Sequence, residues 1–382
     1  MAKTMLMVTS VASMIRQFNM DNVAILQDLG YQVHVATNFE HGSTMSAEEN
    51  QKLKGELQQL GVVAHQVDFP RGIGTPKALY VAFKQLSILA KDNDYYFIHC
   101  QSAIGGVCGR LIGHRHHIKV IYTAHGFQFF KGSSRLSWLT IYPVEKYLSR
   151  YTDNLITVNQ EDTNLAKSKF NAKQVSYVPG IGINVEKIQH TKINRTEKRN
   201  ELGIPNNATM ILSVGELNNN KNHSAVINAL GKIKHENIIY VICGIGEKKE
   251  ELMSLAKANG LEGSFKLLGY RTDVIEIMKA ADIFIFPSFR EGLPVSLMEA
   301  MAAGLPIIAS KTRGNTDLID DGVNGYLFKP TESNDDDLVR ILKLLITDKK
   351  IQKNFVTANL KKVSLFSQTI VKKYMYSIYS SL

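Results

Sequence analysis

Cysteine is scarce in this 382-residue chain: there are three, Cys100, Cys108 and Cys243. They lie in apolar or glycine-rich stretches without CxxC spacing, which argues against a disulfide framework or a thiolate metal site and leaves reduced core thiols. Long apolar runs are missing as well. Nothing approaches the ~20 residues that a membrane-spanning helix needs, and Met1 to Val11 reads as a short strand rather than a charged-then-apolar leader. The expected location is therefore the cytoplasm. Tandem repeats and low-complexity tracts are absent too, and the acidic run Asn334 to Asp337 reads as charge at a helix N-terminus rather than as a metal site. Acid is the minority charge: 35 Asp and Glu stand against 45 Lys and Arg, a formal net charge of +10.

What is present is unevenly spread. Between Val107 and Arg150 there are seven Lys or Arg and the histidines His114, His116 and His117, against Glu145 alone. Gly126 to Pro143 (GFQFFKGSSRLSWLTIYP) mixes aromatics with these bases. Two readings fit: a surface of the N-terminal half that meets the headgroups of an anionic membrane, or an amphipathic helix with buried aromatics and a solvated basic face. Nucleic acid is not an expected partner, because no helix-turn-helix, zinc-finger or RNA-binding signature accompanies the charge.

Apolar β-branched runs alternate with helical patterns along the whole chain, the pattern of parallel sheets covered on both faces. Strands are expected near Thr4 to Thr9, Gln32 to Thr37, Val62 to Val67, Tyr96 to Cys100, Lys119 to Thr123 and Asn154 to Val158, with one helix over Ile15 to Asp28. The polar stretch Asn184 to Arg199 reads as a linker. A second cycle follows, with strands near Met210 to Val214, Ile238 to Cys243, Phe265 to Leu268, Ile283 to Phe286, Pro306 to Ala309 and Gly325 to Phe328. The fold class is α/β, with two Rossmann-like, doubly wound parallel-sheet domains, 1–185 and 186–366. The last segment, 367–382, carries Ile370, Tyr374, Ile378 and Tyr379 at helical spacing and is expected to pack back on the first domain. Ligands of open parallel sheets collect beyond the carboxyl ends of the strands, so two such domains facing across a cleft would hold two substrates.

The strongest local signal is Pro287 to Glu299 (PSFREGLPVSLME), directly after the strand Ile283 to Phe286. Gly292 permits close backbone approach, and Pro294 suits the start of a helix. The free N–H groups of Val295, Ser296 and Leu297, with the helix dipole, make a phosphate site. Glu291 in the loop and Glu299 in the helix are acceptors suited to sugar and ribose hydroxyls, where an arbitrary pair would be merely exposed acids.

These residues resemble the E-x7-E motif of family 4 retaining glycosyltransferases. The likeness extends to Val214-Gly215-Glu216 with Lys221 after it, to Cys243-Gly244-Ile245-Gly246-Glu247, to Leu268-Gly269-Tyr270-Arg271-Thr272-Asp273-Val274, and to Val178 to Asn184. In the first half, Thr123-Ala124-His125-Gly126-Phe127 and Tyr142 to Lys146 are similar to the branch acting in bacterial exopolysaccharide and capsule assembly. The resemblance implies the GT-B fold and a nucleotide-sugar donor, by default a uridine diphosphate sugar. It implies that Glu299 holds the donor ribose and Glu291 the transferred sugar. Gly292, Leu293 and the amides of Val295, Ser296 and Leu297 would serve sugar hydroxyls and the diphosphate, with Gly244, Tyr270 and Arg271 also on the donor side. Lys221 would offset the charge of the departing diphosphate, and His125 would contact the transferred sugar or its attacking partner. Each also has a plain structural reading, a solvated lysine and a packed histidine.

One departure stands out: Glu216 occupies a position where many members carry a phosphate-binding arginine. Arg16, in a loop after the first strand, or Arg271 would replace that charge, or Lys221 and the helix dipole would suffice. Glu145 is either an acid facing the acceptor or a helix residue in an ion pair. The expected acceptor is a saccharide on a lipid diphosphate at the inner membrane face, reached by a peripheral enzyme. No strand is followed by a DxD that would hold a metal-bound diphosphate, so neither a metal nor another cofactor is expected. An epimerase of the same fold, a retaining sugar-phosphate synthase and a non-catalytic scaffold of a polysaccharide complex are the competing readings.

Overall fold

The computed structural model of the chain describes residues 3–72, 74–233, 237–330 and 336–382. They divide into two compact units, one of residues 1–181 and 369–382, the other of residues 182–368. Of the acidic run expected at a helix start, Asn334 and Asp335 lie outside the described residues, while Asp336 and Asp337 open a helix.

The first unit runs β1 (Thr4–Val8), α1 (Ala12–Phe18), α2 (Met20–Asp28), β2 (Gln32–Thr37), α3 (Ala47–Gln59), β3 (Val63–Gln66), α4 (Pro76–Asp92), β4 (Tyr95–Cys100), α5 (Ala103–His116), β5 (Lys119–Ala124), α6 (Arg135–Ser149), β6 (Asn154–Thr157), α7 (Gln160–Lys169) and β7 (Gln174–Tyr177). Its strands form a seven-stranded sheet in the order β3-β2-β1-β4-β5-β6-β7, with parallel pairing throughout. Apolar side chains from both faces of the central strands are buried, Met5 and Met7 on one side and Leu6 and Val8 on the other. Glycine sets how closely α5 approaches the sheet: a Cβ at Gly109 would collide with Cys100 Sγ, and one at Gly113 with a Val120 methyl. The three cysteines are buried and unpaired, as their setting implied.

The second unit runs α8 (Val185–His190), α9 (Arg195–Glu201), β8 (Thr209–Val214), a 3-10 turn (Asn219–Lys221), α10 (His223–Ile233), β9 (Ile238–Cys243), α11 (Lys249–Ala258), β10 (Phe265–Leu267), α12 (Val274–Ala280), β11 (Ile283–Phe286), α13 (Val295–Ala302), β12 (Ile307–Ser310), α14 (Asn315–Leu318), β13 (Tyr326–Phe328), α15 (Asp336–Thr347) and α16 (Lys349–Lys362). Its sheet has the order β10-β9-β8-β11-β12-β13, again parallel. Both units reverse strand order at their first strand, which places a switch point at the carboxyl ends of β1 and β4 and of β8 and β11.

Three expectations are corrected. The polar stretch 184–199 is not a linker but forms α8 and most of α9, which belong to the second unit; Arg199 is buried there against Asp282. The single helix expected over 15–28 is broken at Asn19, whose buried side chain donates to the Met14 carbonyl and accepts from Asn22. The C-terminal helix α17 (Gln368–Ser380) joins the first unit from Thr369 onward, and Ile378 and Tyr379 of the expected stripe are in its core, but Val371 and Met375 take the places expected of Ile370 and Tyr374. Tyr374 points to solvent.

Candidate active site

In the second unit the key loop leaves β11 at the buried Phe286 and ends at Pro294, the residue preceding α13. No side chain caps this helix. Its first-turn N–H groups, on Val295, Ser296 and Leu297, lack intrahelical acceptors and carry the positive end of the dipole. Leu297 is fully buried, and Leu293 and Val295 pack against the core, so these positions offer backbone rather than side chain to a ligand. The neighbouring loop after β12 crosses at Gly314, whose φ of 77° and contact with the Gly292 carbonyl both demand glycine.

The loop after β8 is sewn to this segment. Phe289 N–H donates to the Asn220 carbonyl at 2.8 Å, and Asn220 Nδ2 donates to the Arg290 carbonyl at 3.0 Å. This brings Lys221 Nζ to 2.7 Å from Glu291 Oε1 and to 4.8 Å from the centre of the Phe286 ring. The Glu291 backbone is held from the other side by the buried Arg313, whose Nε donates to its carbonyl at 3.0 Å. Ser296 and Val214 mark where α13 meets the end of β8. Glu299, one helical turn further in, is half-buried and has no side-chain partner among the described residues. Burial pushes its carboxyl up to about 7, because desolvation disfavours the charged form. A ligand hydroxyl would supply the missing donor.

The loops after β9 and β10 are joined by a 2.8 Å bond from Gly244 N–H to the Gly269 carbonyl, and a Cβ at Gly244 would strike the Gly215 carbonyl. They present Ile245, 61% exposed, and Tyr270, 76% exposed. Arg271 does not stand free to replace the arginine absent at Glu216. Its guanidinium is bidentate on Asp273, at 2.7 and 2.6 Å, and also reaches Glu201 at 2.8 Å. Glu216 itself is exposed and accepts from Asn218.

In the first unit, His125 directly follows β5. It is half-buried, lies 5.3 Å from the Phe18 ring centroid, and its Nε2 is 2.9 Å from Gln101 Oε1. Burial pushes its imidazole down to about 4, so it is neutral near pH 7. Arg16 is not in a loop: α1 begins at Ala12, and Arg16 in its last turn pairs with Glu56 at 2.6 Å. Lys221 is paired with Glu291 in the loop that leads into α13. Glu145 is not exposed toward an acceptor. It is buried and paired at 2.8 Å with the buried Arg110, whose guanidinium also lies over the Tyr122 ring. The Gly126 to Pro143 aromatics are likewise turned inward, Phe127 stacked on Phe129 at 4.9 Å and Trp138 against Phe129. The outward face of α6 is aliphatic instead, with Leu136 68% and Leu139 74% exposed.

Sequence reasoning missed Arg313, Asn220 and Gln101, and gave His99 no role. Arg313 and Gln101 each lie just past a strand, after β12 and β4, so attention to every strand's carboxyl end would have found them. The Asn220 contact depends on a loop pairing with no local signature.

Two parallel-sheet, Rossmann-like units, with a lysine, a carboxylate and an open helix N-terminus at the strand ends of the second, define the architecture of a GT-B glycosyltransferase. Residues 21–186 match the family described as Glycosyltransferase Family 4, and residues 194–362 match that described as Glycosyl transferases group 1. The chain is 33% identical over 340 residues to EpsD of Bacillus subtilis (strain 168), which carries a provisional glycosyltransferase name; this spans 87% of the chain and 85% of EpsD. It is 30% identical over 295 residues to an Escherichia coli UDP-Gal:alpha-D-GlcNAc-diphosphoundecaprenol alpha-1,3-galactosyltransferase, spanning 75% of this chain and 74% of that one. HepE of Anabaena, solved in complex with UDP, has a similar fold over all of both chains, with a TM-score of 0.79 at 18% identity. The chain belongs to the family 4 glycosyltransferases.

Proposed function

We propose that the chain moves a hexose or N-acetylhexosamine from a uridine diphosphate sugar to a saccharide carried on a lipid diphosphate, with retention of configuration and without a metal ion, in extracellular polysaccharide assembly. The carrying observation is the pairing of Lys221 with Glu291 in the loop before the uncapped start of α13, with Glu299 on that helix unpartnered among the described residues. Glu299 accepts from the donor ribose, the N–H groups of Val295 to Leu297 hold the diphosphate, and Glu291 accepts from a hydroxyl of the transferred sugar. As the bond between the sugar's anomeric carbon and the diphosphate oxygen breaks, negative charge grows on the diphosphate and Lys221 stabilises it. The acceptor hydroxyl attacks from the same face and passes its proton to that departing oxygen. Holding both substrates in this geometry supplies much of the rate. The E. coli relative's name, with its UDP-galactose donor and diphosphoundecaprenol acceptor, supports the choice of substrates.

The same reading includes peripheral attachment to an anionic membrane from the cytoplasm. No helix among the described residues is long and apolar enough to cross a membrane. The outer face of α6, with Leu136, Leu139, Val144 and Tyr147 exposed between Lys131, Arg135, Lys146 and Arg150, has the composition to rest on one.

A thermal-shift screen against UDP, GDP and ADP sugars tests the donor, since a ligand of the folded state raises Tm. A UDP sugar is expected to give the largest shift; no shift with any of them overturns the reading. Incubation with donor alone should return donor, not an epimer. Turnover should persist in excess chelator, and its loss with rescue by magnesium or manganese would overturn metal independence.

A further inference from the structure

Behind His125 lies a continuous buried chain of neutral hydrogen-bonding groups drawn from β4, β5 and α17 and the residues that follow the two strands. His125 Nε2 is 2.9 Å from Gln101 Oε1. The other end of that amide, Gln101 Nε2, is 3.0 Å from His99 Nε2, which is also 2.9 Å from Thr123 Oγ1. His99 Nδ1 is 2.8 Å from the hydroxyl of Tyr379. Gln101, His99 and Tyr379 are all buried. Tyr379 lies on α17, separated from His99 by 280 positions of sequence.

The donor and acceptor inventory of these groups leaves little freedom. An amide nitrogen only donates and an amide oxygen only accepts. A Gln101 Nε2 that donates to His99 Nε2 requires a lone pair there and puts the single proton of the neutral ring on Nδ1, toward Tyr379, with Thr123 Oγ1 donating to the same nitrogen. With Gln101 Oε1 facing His125, the proton of His125 is on Nε2. Burial holds His99 down to about 3 and His125 down to about 4, so neither ring takes a second proton near pH 7.

We propose that Gln101, His99 and Tyr379 are positioning residues that lock the His125 ring and fix it in the Nε2–H tautomer, leaving Nδ1 as a lone-pair acceptor for a substrate hydroxyl. The C-terminal helix thereby completes a site whose contact residue directly follows β5. The inference rests on the reading of His125 as a substrate contact, but the tautomer is measurable without turnover. A histidine that can only accept selects a hydroxyl donor and rejects a group that is itself only an acceptor, such as a carboxylate or phosphate oxygen.

The test is 15N NMR of the imidazoles in the full chain, with steady-state kinetics of Tyr379→Phe and Gln101→Met. Both substitutions conserve volume, and Tyr379→Phe keeps the ring packed on Phe97. In the parent protein the His125 proton should be found on Nε2. Gln101→Met should give a mixture of tautomers and lower kcat about tenfold with donor KM unchanged; Tyr379→Phe should do the same to a smaller degree. A His125 proton on Nδ1 means the amide faces the other way and overturns the proposal. So does an unchanged His125 signal in Gln101→Met. Full activity of His125→Ala would instead sink the substrate contact while leaving the tautomer result standing, which separates the two failures.

Discussion

The strand ends of the two units are chemically opposite. In the second unit they carry charge within reach of solvent: Lys221 and Glu291 in a half-buried pair, Glu299 with no counter-ion among the described residues, and a helix start without a side-chain cap. In the first unit they carry neutral rings and amides, His125, Gln101 and His99, and the buried ion pair of Arg110 with Glu145 is inside the fold. On the proposed reading the contrast is a division of labour, ionic groups of the second unit meeting the nucleotide sugar and a neutral ring of the first meeting a hydroxyl. On that reading the Lys221–Glu291 charge serves chemistry, while Arg110–Glu145 serves structure, as Arg199–Asp282 does in the second unit.

That contrast can be broken at four points. Lys221→Ala should lower kcat about 100- to 1,000-fold, the scale of removing one electrostatic stabiliser of a transition state, while Tm stays within a few degrees; a large Tm loss with modest kinetic effect would make Lys221 structural. Glu145→Gln should do the reverse. It leaves Arg110 buried without its counter-charge and should cost about 3–5 kcal/mol in denaturant unfolding, and a variant of parental stability would refute the structural assignment. A third test uses pH. The unliganded Glu299 carboxyl sits at about 7, and in the proposed complex ribose hydroxyls donate to its charged form, so binding would lower this value. Affinity for UDP is therefore full above pH 7 and falls as protonation of the free site competes, by about tenfold between pH 8 and pH 6. Glu299→Gln should flatten that part of the slope, and identical slopes in the two proteins would exclude Glu299 from the ribose. The smallest effect is expected from Leu136→Ser with Leu139→Ser: flotation with anionic liposomes should drop a few-fold with transfer to a soluble acceptor analogue intact. Parental protein that shows no salt-sensitive flotation would rule out the membrane face.

Much of the second unit was legible from sequence because its strands, such as Ile283–Phe286, are continuous apolar runs buried on both faces. The same holds for the start of α13, where strand, glycine loop and proline follow one another locally. What was misread depended on partners far along the chain. Glu145 looks exposed until Arg110 is brought to it from 35 residues away. Arg16 looks like a loop base until α1 starts at Ala12 and Glu56 meets it. The stretch 184–199 is polar enough to pass for a linker, but its Arg199 is neutralised by Asp282 across 83 residues. In the C-terminal helix Tyr374 and Tyr379 both fit an apolar stripe, and the core, not the spacing, decided that Tyr379 and not Tyr374 is buried.

The return of α17 to the first unit bears on how the chain is made. Residues 369–382 leave the ribosome after the whole of the second unit has been synthesised. Until then His99 lacks Tyr379, and one face of the first sheet lacks Val371, Met375 and Ile378. The first unit therefore flanks the second in sequence, and a chain cut before Gln368 would keep every strand of both sheets yet leave the neutral network at His99 open.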